Sequence, residues 1–372
     1  MNKKELELYI HIPFCVRKCS YCDFLSAPAT EQTREAYMAA LFAEIGGRAK
    51  DYSDRTVTSI FIGGGTPSLL SGEQIGQLMD RIREQFAMAQ DAEITMEVNP
   101  GTANAEKLRN FYTAGINRLS IGMQSAQAEE LKNLGRIHDF EGFCQVYREA
   151  VEAGFTNINV DIMSGLPGQT LASYRDTLEK VLHLEPMPQH ISAYSLIVEE
   201  GTPFAAMAER GELPLPEEET ERAMYEETIE VLSKYGFHRY EISNYARDGY
   251  ECRHNVGYWI RRDYLGFGIG AASLIDNVRF QNEKSLGAYL AHPLESREEE
   301  QTLTVQDRME ETMFLGLRLT RGVSCVDFAE QYGRTVEEVY GEVIARNVAD
   351  GLLTVTERKE NQKKDRFLAL TK

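Results

Sequence analysis

No stretch of this 372-residue chain reaches the roughly 18 consecutive apolar residues that a membrane span needs, so no transmembrane helix is expected. The N-terminus MNKKELELYIHIPF has two lysines but no apolar core before charges return, and it does not read as a secretory leader. Basic residues are in the minority, 40 against 58 acidic, and the formal net charge is -18. A nonspecific nucleic-acid binder would present a basic face instead, so no nucleic-acid partner is expected. Cysteine is too sparse for a secreted disulfide scaffold: six in the whole chain. A reducing cytoplasm is the expected setting. Solenoid repeats and low-complexity tracts are also missing. What remains is an ordinary globular composition, 42% hydrophobic, long enough for one large domain and a small one.

Three of the six cysteines cluster. Cys15, Cys19 and Cys22 stand in HIPFCVRKCSYCDF, a CxxxCxxC triplet directly after the apolar run ELELYIHI. Three thiolates can ligate three irons of a four-iron cluster and leave the fourth iron open for chemistry. The bland alternative is zinc, but structural zinc takes four ligands, commonly as paired cysteines. His11 as a fourth ligand would lie inside a strand.

Short β-rich runs alternate with helical segments. The runs are 5–12, 58–64, 92–99, 116–123, 156–163 and 189–196. Thr33, Ser71, Asn104 and Ser173 read as caps opening the helices between them. Strand then helix, repeated, predicts parallel strands with right-handed crossovers. The expected fold is α/β, a partial (β/α)6 TIM-like barrel with its core at about 5–200 and a β-rich extension to 295. The Tyr- and Gly-dense run 240–273 belongs to that extension. ESREEEQ reads as a linker, and 300–372 as a small, mainly helical, winged-helix-like domain.

In such a barrel the working residues sit at the C-terminal ends of the strands. Strand one runs into the cysteines, strand two into Gly63-Gly64-Gly65-Thr66-Pro67, and strand three ends at Glu97. Strand four ends at Gln124, strand five carries Asp161, and strand six ends near Tyr194-Ser195. A glycine run can be a loose turn. Directly after an apolar strand, its bare N–H groups are expected to meet a carboxylate or amino-acid moiety. Singly, Glu97, Gln124 and Asp161 would pass as surface residues; their shared position is what marks them.

CxxxCxxC with an aromatic, Tyr21, before the third cysteine and GGGTP after strand two resembles the radical S-adenosylmethionine superfamily. The words YIHIPFC, FIGGGTPS, EVNPG, IGMQS, LGRIH, VDIMSGLPGQT and AYSL are similar to the branch that contains oxygen-independent coproporphyrinogen III oxidase and the haem chaperone HemW. The resemblance implies a [4Fe-4S] cluster on the three cysteines. It also implies S-adenosylmethionine contacts at Tyr9, Tyr21, Gly64, Gly65, Thr66, Glu97, Gln124, Arg136, Asp161 and Ser195.

Two departures weigh against coproporphyrinogen oxidation. The oxidase pattern has a further cysteine two positions after the triplet, where this chain has Phe24. The oxidase also carries a substantial extension before YxHIPFC, whereas only eight residues precede Tyr9. Both point to the chaperone side of the branch. So does His254-Asn255-Val256-Gly257-Tyr258-Trp259, which resembles the HNxxYW word proposed there to bind haem. In that reading His254 ligates iron, with Cys252 as a rival ligand, and Tyr258 and Trp259 offer flat apolar surfaces. The bland alternative is a Tyr-Trp pair packed in a β region. The chaperone reading implies transfer of haem to recipient haem proteins of respiratory type at the inner face of a membrane; the alternative is an oxidase or another radical enzyme that generates a 5′-deoxyadenosyl radical. Relatives usually continue past FLALTK, so incomplete packing of the last element is expected.

Overall fold

A computed structural model describes residues 4–295, 297–360 and 363–371. Six strands fall where the alternation places them: β1 (Lys4–Ile12), β2 (Arg55–Gly64), β3 (Ala87–Val98), β4 (Arg118–Gln124), β5 (Ile158–Ser164) and β6 (His190–Ser195). They pair in sequence order, all parallel. Period-two alternation sorts each strand's side chains. Leu6, Leu8, Ile10 and Ile12 of β1 are fully buried against the helices, and the odd-numbered residues between them turn into the barrel. The helix Gly72–Gln85 shows the complementary logic. It buries Ile75, Leu78, Met79 and Ile82 on one stripe and opens with a capping box of Ser71 and Gln74.

Ser71 and Asn104 cap as expected, but Thr33 and Ser173 do not. The first helix begins three residues earlier, capped by Thr30, whose hydroxyl accepts from the Thr33 N–H. The sixth parallel strand's preceding helix is capped by Thr170, with Ser173 as its capping-box partner.

The sheet continues past the barrel at both edges. Beyond β6 lie β8 (Asn244–Ala246) and β7 (His238–Arg239), antiparallel. Beyond β1, β9 (Tyr264–Phe267) adds in parallel. It is followed by β10 (Ala272–Ile275), β11 (Val278–Asn282) and β12 (Arg297–Thr302) in antiparallel order. The segment expected as a linker is therefore largely strand: Arg297–Thr302 pairs with β11 at the end of a 12-stranded sheet. The sequence HNVGYW is not β either but lies in a helix, Arg253–Trp259.

The C-terminal region has helices Val305–Gly316, Cys325–Tyr332 and Val336–Ala349 and a sheet of β13 (Val323–Ser324), β15 (Lys363–Leu370) and β14 (Leu353–Glu360). Its own small core gathers Met309, Phe328, Val336 and Leu368. Phe367, Leu368 and Ala369 are buried in β15, while Leu370 after them is exposed.

Candidate functional site

A chamber of about 310 Å³ opens at the C-terminal ends of the parallel strands, within the size range of small-molecule sites. Cys15, Cys19, Tyr21, Cys22, Gly64, Gly65, Thr66, Glu97, Gln124, Arg136, Asp161 and Ser195 all line it. Of the residues expected there, Tyr9 alone stands outside the lining. Its hydroxyl pairs with Nδ1 of His11 at 2.9 Å.

The cysteine loop is pinned from three sides. Cys15 N–H donates to Ala27 O, Ser20 N–H to Leu134 O, and Phe204 N–H to Ser20 O. The Arg17 guanidinium adds a bond to Gly135 O at 2.6 Å. Two donors point at cysteine sulfurs: Thr66 Oγ1 lies 3.4 Å from Cys15 Sγ, and Arg136 Nη1 lies 3.8 Å from Cys19 Sγ. Donors aimed at sulfur favour thiolate, the form that ligates iron. Three free cysteines lining one chamber fit a cluster held by three thiolates.

The amides of the glycine loop are taken up within the protein: Gly64 N–H donates to Glu97 Oε2 at 3.0 Å, Gly65 N–H to Ile12 O, and Thr66 N–H to Phe14 O. The glycines serve close approach instead. A Cβ on Gly65 would come within 2.7 Å of Phe14 O, so the loop can lie flat on the cysteine segment only without a side chain.

Two carboxylates share the chamber. Burial, and then the neighbouring Asp161, push Glu97 up to about 8. Burial also raises Asp161, against hydrogen bonds from Asn159, Ser120 and Ser192. Two acids held this way favour a cationic ligand, which would relieve both. Gln124 ends β4 at a register shift with φ 67°, an uncommon left-handed conformation for a non-glycine residue. Its Oε1 accepts from Tyr194 OH at 2.9 Å. Tyr194, Ser120 and Asn99 line the chamber too and were not singled out as contacts from the sequence. Their face parity would have suggested the first two, once the strand register was known.

Phe24 lines the chamber and is 59% exposed; Ile197, in the same lining, is 68% exposed.

The HNVGYW residues lie at the opposite end of the barrel. His254 is buried, with Nδ1 2.9 Å from Ser59 Oγ and Nε2 3.1 Å from Tyr258 OH. Its ring stacks on Phe61 at 5.3 Å. Burial lowers His254 to about 3 and raises the Cys252 thiol to about 12. The two rival ligands are thus both uncharged at neutral pH and both enclosed. Trp259 faces the C-terminal domain, with the Arg318 guanidinium 4.2 Å over its ring. The chamber thus gathers the cysteines and every expected S-adenosylmethionine contact except Tyr9, while the haem candidates lie apart from it.

Comparison with known proteins agrees with this geometry. The family model described as Radical SAM superfamily matches residues 9–181, and the HemN C-terminal domain matches residues 303–359. The haem chaperone HemW of Bacillus subtilis is 39% identical, covering 93% of this chain and 92% of that protein. HemW of Escherichia coli is 37% identical, covering 94% and 92%. The solved coproporphyrinogen III oxidase HemN of Escherichia coli superposes with a TM-score of 0.83 at 27% identity, covering 99% of this chain and 87% of the oxidase. The partial barrel, the cysteine triplet on its mouth and these full-length likenesses together establish that the chain belongs to the HemW family within the radical S-adenosylmethionine superfamily.

Proposed function

We propose that this protein is a haem chaperone: it binds haem and passes it to recipient haem proteins. Cys15, Cys19 and Cys22 hold a [4Fe-4S] cluster whose fourth iron takes S-adenosylmethionine. Glu97 and Asp161 receive the positive charge of that cofactor, and Arg136 holds the cysteine loop and chamber wall together through Cys19 Sγ and Gly122 O. When bound, the cluster and S-adenosylmethionine supply one-electron chemistry; the chain's own part is to orient them and exclude water. His254 serves as the iron ligand, and delivery takes place at the inner face of a membrane to respiratory haem proteins. Among the described residues no helix is long and apolar enough to cross a membrane, and this reading needs only peripheral contact.

The observation that carries the proposal is Phe24. An exposed phenylalanine at the chamber mouth replaces the cysteine that the oxidase pattern places there. Without that cysteine the mouth departs from the oxidase pattern, which favours the chaperone reading over the oxidase. The test is an anaerobic haem titration of the cluster-reconstituted protein. Haem binding whose spectrum changes in His254→Ala supports the reading, and no haem binding sinks it. Formation of protoporphyrinogen IX from coproporphyrinogen III would replace it with the oxidase.

A further inference from the structure

The helix Arg253–Trp259 forms the floor of the half-barrel. The Glu93 carboxylate of β3 receives the N–H groups of Arg253 and His254 at 3.1 and 3.2 Å, and the Cys252 thiol at 3.5 Å. One strand residue thus satisfies two of the orphan donors at the start of this helix. Ser59 and Phe61 of β2 engage the His254 ring. Gly257 lies on the Glu7 carboxylate of β1 so closely that an added Cβ would come within 2.0 Å of Oε1. Glu7 is itself fully buried, so it has little freedom to move aside.

From outside, the C-terminal domain presses the same helix in place. Glu311 bridges Arg261 at 2.8 Å and Arg279 at 2.7 Å. Arg318 covers Trp259 and reaches Glu241 at 3.4 Å. Thr320 N–H donates to Tyr240 O. A hydrogen-bonded chain ties the start of the helix to the chamber. It runs from Asp161 through Asn159 Nδ2 (2.7 Å), on to His190 Nδ1 (2.6 Å), then to Tyr240 OH (2.9 Å) and the Cys252 N–H (3.3 Å).

An iron ligand needs a free ring nitrogen with open space beyond it for the macrocycle. His254 offers neither here: both nitrogens are paired and the ring is enclosed. We infer that the haem site is cryptic, and that residues 252–259 are a latch which releases His254 only when the helix leaves the barrel floor and the C-terminal clamp loosens. The inference rests on the reading that His254 ligates haem. The apparent haem affinity is then reduced by the fraction of molecules that are open.

The full chain with its cluster reconstituted tests this by two readouts: hydrogen exchange at the amides of 253–259 without haem, and the rate of haem association. Gly257→Ala drives a methyl into Glu7 and should raise both by about tenfold or more. Adding Glu7→Ala makes room for that methyl and should return both towards wild type, which separates latch opening from misfolding. Glu311→Ala, which weakens the clamp alone, should move both in the same direction as Gly257→Ala. Wild-type exchange in both Gly257→Ala and Glu311→Ala would overturn the latch, whatever the haem result. Haem binding indifferent to His254→Ala would instead remove the ligand assignment of the proposed function, and with it the need for release.

Discussion

At the C-terminal end of the parallel strands, Glu97 and Asp161 face a chamber; at the N-terminal end, Glu7 and Glu93 face a helix. The two ends use the same residue types, and Glu93 and Glu97 stand on the same strand four positions apart. At the chamber the polar groups are held partly by the protein and left partly open. At the floor Glu93 is answered by backbone N–H groups and a thiol. Polar residues pointing into a barrel therefore do not mark a site by themselves; what marks it is whether the protein itself answers them.

The largest expected effect breaks the chamber at its base. Any one of Cys15→Ala, Cys19→Ala or Cys22→Ala should abolish the cluster, seen as loss of the reduced protein's paramagnetic signal and of bound iron, while urea unfolding of the apo-protein changes little. At the floor the ranking reverses. Glu93→Ala strips the helix start of its acceptor and takes one acidic neighbour from buried Arg118, and should destabilise the apo-protein by about 3–5 kcal/mol. A stability loss below 1 kcal/mol would mean the floor is as open as the chamber.

A subtler split is expected from Glu97→Gln. It should weaken S-adenosylmethionine binding by about tenfold or more, because a charge-assisted contact is lost, yet stabilise the apo-protein at alkaline pH by removing a buried acid. Binding calorimetry and thermal unfolding read the two separately. A loss of both together would make Glu97 a structural residue.

The pH profile divides the ends again. His190 is fully buried, and burial, then Arg118 and His238, hold it well below its ordinary 6.5. The unfolded chain takes that proton first, so stability is complete above pH 6.5 and falls as pH drops below it. Glu97 is raised to about 8, as is Glu7 at the floor by burial. Their contribution is complete below 4.5 and is lost as pH rises through 8. S-Adenosylmethionine should flatten only the Glu97 share of the alkaline limb, and His190→Gln only the acid limb. The smallest effect is at the clamp: Arg318→Gln should cost about 1 kcal/mol through the lost contact with Trp259.

The barrel was legible in the sequence because each parallel strand is a β-rich run followed by a capped helix, and Glu97, Gln124 and Asp161 stood out by their position at strand ends. The cap errors came from competing hydroxyls three residues apart, Thr30 with Thr33 and Thr170 with Ser173, where only backbone geometry chooses. The helix at 253–259 was hidden for another reason. Its aromatics and glycine favour a β reading locally, and its helical start is satisfied by Glu93, 160 positions away. Composition also misled at Arg297–Thr302, where consecutive glutamates read as solvent-bound linker although their backbone pairs with β11.

That glutamate strand has a consequence for the protein in concentrated solution. The 12-stranded sheet is not closed, and an open edge invites another sheet to dock on it and begin aggregation. One edge here is β7, only two residues long; the other is β12, fully exposed and bearing Glu298, Glu299 and Glu300 in succession. Two molecules meeting edge to edge would bring like charges together on one side and find almost no ladder to extend on the other. The sheet can thus stay open, with its mouth accessible, without becoming sticky.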